Sequence, residues 1–105
     1  MGTKNSLFTI ERDYMWWLIP LALGALLLAG LTLATVLNWF DSNKSASSVY
    51  GKLIKERLAN GNYRVVGGVF NTKGHCTDTQ VWEATELDDD LKKYFGQQSQ
   101  VKVKL

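Results

Sequence analysis

The stretch Leu18–Leu37, LIPLALGALLLAGLTLATVL, decides how this chain reads. It holds twenty residues without a charge. As a helix at about 1.5 Å per residue it would cover about 30 Å, the hydrocarbon thickness of a bilayer. A helix of that length inside a water-soluble core would need a polar face, and this one has none. The run therefore predicts a transmembrane α-helix from about Met15 to Phe40. The flanks agree with that reading. Tyr14, Trp16 and Trp17 stand at one end, and Trp39 and Phe40 at the other. Aromatic rings with a polar edge favour the headgroup level, so these five are the expected membrane-interface residues. No charge lies between Tyr14 and Phe40. The length of the run and the poor cleavage site at Trp39-Phe40-Asp41 favour an uncleaved anchor over a signal peptide.

Within the span, Ala22, Ala25, Ala29, Thr32 and Val36 recur every three to four residues. On a helix they make one stripe of small or β-branched side chains, which lets a neighbouring helix approach closely. The expectation is contact with other membrane proteins, or a homo-oligomer, through that stripe. The span carries no ionisable residue and hence no proton or ion pathway. Basic residues flank both ends, Arg12 on one side and Lys44 on the other, and leave the direction nearly balanced. A short arm, one anchor and a small domain together place the C-terminal domain on the non-cytoplasmic side.

Outward from the span, the chain divides into a polar arm (1–13), the membrane helix (14–40), a linker (41–48, DSNKSASS) and a small α+β domain (49–105). Val49–Asn60 reads as a helix, with Tyr50, Leu53, Ile54 and Leu58 on one face. Tyr63–Phe70 and His75–Ala84 read as a β-hairpin joined by Asn71-Thr72-Lys73-Gly74. That pairing sets Tyr63 opposite Trp82. Gly67-Gly68 in mid-strand implies a bulge or a close approach by another backbone. A second helix begins with Thr85 as N-cap. Glu86 and Asp88–Asp90 crowd its first turns, Lys92 and Lys93 come late, and Gly96 ends it. Val101–Leu105 alternates strictly and reads as an edge strand guarded by lysines. The expected fold is thus a single-span (bitopic) membrane protein: one transmembrane helix, then an α-β-β-α-β domain with a three-stranded antiparallel sheet.

Chemistry is thinly represented. With 12 basic and 10 acidic residues the net charge is +2, too even to suggest nucleic acid. The single cysteine, Cys76, makes no intramolecular disulfide. His75-Cys76 is the one adjacent pair of good metal ligands, a histidine beside a thiol. Neighbours on a strand point to opposite faces, so no metal site is expected. Asp88-Asp89-Asp90 fan around a helix and cannot converge on one cation. Gly67-Gly68 lacks the surroundings of a phosphate loop. No catalytic residue, cofactor or metal is expected. The functional expectation is a non-enzymatic interaction protein in contact with the lipid bilayer and with other membrane proteins. It would serve as an accessory subunit or assembly factor of a respiratory, secretion or conjugation complex. The alternative is a phage- or plasmid-type envelope effector acting by protein contact.

Overall fold

The computed structural model describes residues 25–105. Seven elements follow in order: β1 (Leu26–Leu31), α1 (Leu33–Asn43), β2 (Ser48–Arg57), β3 (Tyr63–Asn71), β4 (Cys76–Leu87), α2 (Asp89–Phe95) and β5 (Gln100–Lys104). The strands form one mixed sheet in the order β1-β4-β3-β2-β5. β1 runs parallel to β4, and the other neighbours are antiparallel.

This overturns the single-span fold. The second half of the apolar run is not one helix. It is a strand, a capping residue and a separate short helix. Thr32 takes an extended conformation (φ −105°, ψ 154°), and its hydroxyl accepts from Thr35 N–H at 3.1 Å. That bond starts α1 and ends any helix arriving from upstream. α1 has 11 residues, about 16 Å of helix. Among the described residues no helix is long and apolar enough to cross a membrane. The physical reason is that a short uncharged apolar run has no period of its own and fits a strand as well as a helix. Leu26–Leu31 lies beside β4, with Leu26 level with Trp82 and Leu31 with Leu87.

The interface aromatics move accordingly. Phe40 is 1 % exposed and Trp39 is partly buried, both in the core beneath α1. Their rings meet edge to face at 4.9 Å, and Trp39 meets Trp82 likewise at 5.7 Å. Tyr14, Trp16, Trp17 and Ala22 lie outside the described residues.

The linker and the first predicted helix are corrected as well. α1 continues to Asn43, and Lys44 N–H closes it on Phe40 O at 2.9 Å. Ser45–Ser48 then turns, with Ser48 Oγ accepting from Ser45 N–H at 2.8 Å. Val49–Asn60 is mostly strand. β2 pairs with β3 on one side and β5 on the other, so the sheet has five strands and not three. Leu53 and Ile54 are both buried, on opposite faces of β2. Adjacent apolar residues suit a helix stripe as readily as a strand buried on both sides, and the long-range pairing decides.

The hairpin forms as the sequence indicates. Asn71 Oδ1 accepts from Lys73 N–H and His75 N–H, each at 3.0 Å, and Gly74 takes φ 79°. Its register differs by two residues: Val65 faces Trp82, and Tyr63 faces Ala84. One residue of the shift comes from the turn, since Phe70 pairs with Cys76. The other comes from an irregularity between Val69 and Phe70, which leaves Thr77 as the extra residue. Gly67 does mark a close approach, by rings and not backbone. A Cβ there would lie 3.3 Å from both Trp39 Cζ3 and Trp82 Cζ3.

β4 continues through Leu87, so the N-cap of α2 is Asp88 and not Thr85. Asp88 Oδ1 accepts from Leu91 N–H at 2.8 Å and from Leu33 N–H at 3.2 Å. One carboxylate thus satisfies donors at the start of both helices and ties α2 to α1. Thr85 instead donates its hydroxyl to Ala29 O, stitching β4 to β1. Gly96, with φ 61°, closes α2 through its N–H to Lys92 O.

Both helices cover one face of the sheet. Phe40 and Val36 from α1 and Leu91 and Phe95 from α2 meet Leu53, Val65 and Trp82 there. A smaller cluster on the opposite face joins Ile54, Val66, Phe70 and Val81, with Ala25, Tyr50 and Cys76 against it.

Candidate functional site

The residues that could carry chemistry are kept apart. Among the described residues no group of three or more His, Cys, Asp or Glu side chains could hold a metal ion. His75 sits at the hairpin end, while Cys76 begins β4, half-buried. The Cys76 thiol donates to Asp78 O at 3.5 Å. Burial pushes this thiol up from 9.0 to about 11. Asp89 and Asp90 occupy the first turn of α2 and Lys92 and Lys93 its last, in the order that the helix dipole favours. The depressions along α2 and β5 and at the start of α2 are open to solvent.

The Cys76 environment has a measurable consequence. With its pKa pushed from 9.0 to about 11, the thiol holds about a hundredfold less thiolate at pH 8 than an ordinary thiol has. Alkylation of the folded protein by iodoacetamide at that pH should be slower than in the denatured chain by roughly that factor. The rate should climb towards pH 11, and its pH profile should be read by mass spectrometry. The folded thiol keeps its proton to higher pH than the unfolded one. Its contribution to stability is therefore full below pH 9.0 and is lost as pH rises towards 11. Equal rates in the folded and denatured chains would contradict a half-buried thiol held protonated.

What distinguishes the molecule is the contrast between the two edges of its sheet. β5 forms one edge. Val103 points into the core, while Lys102 and Lys104 are exposed. Lys102 Nζ stands 4.4 Å over the Tyr50 ring, and Tyr50 stacks on Phe70 at 5.1 Å with the planes 4° apart. Lysines on an outer strand discourage pairing with another chain.

β1 forms the other edge, and it is undefended. Its six residues, LLLAGL, carry no charge and no proline. Leu26 is 52 % exposed and Leu27 72 %. Leu28 leans on the main core, so Leu26, Leu28 and Gly30 lie towards the helices and Leu27 and Ala29 towards the opposite face. A Cβ on Gly30 would meet nothing within 4 Å. Among the described residues nothing pairs with the outer side of β1.

Of the predicted helix-packing residues, Ala25 precedes β1 and packs on the smaller cluster, Ala29 lies in β1, Thr32 caps α1, and Val36 is fully buried in α1. They fall on different elements and share no single helix face. The β1 edge escaped the sequence reading because its residues lay inside an apolar run long enough to span a membrane. The local signals were Gly30, a weak helix former, and Thr32 ahead of Thr35, a workable N-cap. In comparisons with known proteins, the chain matches no family model, no curated protein and no solved structure.

Proposed function

We propose that this chain is a non-enzymatic interaction protein that takes an extended segment of a protein partner onto the open edge of β1. It would work as an accessory subunit or assembly factor in a larger complex. The observation that carries this reading is the β1 edge itself: uncharged, apolar and, among the described residues, unpaired, in a sheet whose other edge is guarded by lysines. Strand addition to such an edge takes its affinity from main-chain hydrogen bonds and its selectivity from alternate side chains. The scattered ionisable groups and open depressions favour contact over catalysis.

The test uses a short uncharged peptide alternating valine and threonine as probe, followed by amide hydrogen exchange. Binding should slow exchange at Leu26–Leu31 and leave Gln100–Lys104 unchanged. Leu27→Lys, at a largely exposed position, should weaken binding by tenfold or more while leaving the fold intact. Protection confined to β5, or none at all in a chain that runs at a single chain's mass, would refute the assignment.

A further inference from the structure

The geometry points to a second copy of this chain as the occupant of the edge, pairing β1 with β1 antiparallel about a two-fold axis at Leu28. This rests on the reading of β1 as an open edge and names its partner. A sheet that continues from one copy into the next must keep each face continuous. In an antiparallel pair, directly opposed residues share a face. Only registers that oppose residues of the same parity satisfy this.

Two registers centred on a residue use most of the strand. About Ala29, Leu27 would face Leu31, whose side chain leaves the alternation and is fully buried in the main core on the helix side, so that register keeps neither a common face nor a free side chain. About Leu28, Leu26 faces Gly30, Leu27 faces Ala29, and Leu28 faces its own copy. Each exposed leucine then lies against a small residue. The open space over Gly30 receives Leu26, and Leu27, the more exposed of the two, covers Ala29. Large against small on both faces is self-complementarity of the kind a two-fold interface requires.

Charge points the same way. β1 brings no like charges together when it meets itself. Self-pairing of β5 would set Lys102 against Lys102 or Lys104, which is destabilising. A β1–β1 pair uses the open edge of both copies at once. It closes at two chains and leaves lysine-bearing β5 at both ends of the joined sheet, where growth stops.

The experiment measures the mass of the full chain by light scattering across a concentration series. The wild type should reach twice its 11.8 kDa. Leu27→Lys should return it to one chain's mass with an unchanged circular dichroism spectrum. As a second probe, Leu28→Cys in a Cys76→Ser background should give a disulfide-linked dimer on mild oxidation. Opposed residues in an antiparallel pair stand about 4.5–5.5 Å apart at Cα, within disulfide reach. Leu37→Cys, exposed on α1, should not cross-link at a comparable rate. A wild type that stays at one chain's mass, a Leu27→Lys variant that stays doubled, species beyond the dimer, or equal cross-linking at Leu37 would each overturn the pairing. A single-chain wild type that still binds the valine–threonine peptide at β1 would reject only the second copy. Loss of both would reject the open-edge reading too.

Discussion

Phe40→Ala is expected to lower the unfolding free energy by about 3–5 kcal/mol, the cost of emptying a buried aromatic site. Phe40 sits in the main cluster, its ring edge-to-face with Trp39 and pressed between α1 and the sheet at Gly51 and Gly67. Small domains have about 5–15 kcal/mol in total, so the loss would be about a fifth of that or more. Urea unfolding followed by tryptophan fluorescence reads it directly, because Trp39 and Trp82 adjoin the cavity. Leu37→Ala is the internal control. Leu37 lies on the same helix and is exposed, and its truncation should shift the midpoint only slightly. A Phe40→Ala midpoint equal to that of the wild type would remove this ring from the core.

Gly51→Ala should lower stability by about 1–3 kcal/mol, the range for overpacking a filled core. The sign is the informative part. Gly51 is not among the glycines with positive φ. An alanine there fits the backbone, and on local grounds should stabilise by about 0.4–1 kcal/mol through the unfolded state. The surroundings reverse this. The added Cβ would run into Phe40 Cε1 and lie 2.9 Å from Cδ1. The Phe40 ring is buried and cannot swing aside as a flexible surface side chain would. The pair Gly51→Ala and Phe40→Leu should couple, the double variant recovering part of the loss. A raised midpoint for Gly51→Ala alone would show that α1 does not press on β2 as described.

These two residues show where the reading from sequence stopped. Gly51 weakened a predicted helix by its low propensity, whereas its role is to leave room for Phe40 on a strand. Phe40 carried the composition of a membrane belt and folds into a core. In both cases the deciding contact joins elements that no periodicity relates. The site shows the same division. The β5 edge could be read from Lys102 and Lys104 alternating with Val101 and Val103. The β1 edge could not, because its six residues look alike as helix or as strand.

The sequence by itself determined what is encoded within one turn or one pairing step. That includes the hairpin and its Asn71–Gly74 turn, the acidic start and glycine end of α2, and the alternation that makes β5 an edge. Each rests on side chains acting on backbone a few residues away, so the local pattern suffices. Tertiary structure decided the rest. Leu26–Leu31 became a strand because β4 offers it a parallel partner, and Ser48–Arg57 became one because β3 and β5 flank it. A short run of apolar residues does not fix its own period. Which period it adopts is set by the neighbour that pairs with it, and that neighbour lies tens of residues away along the chain.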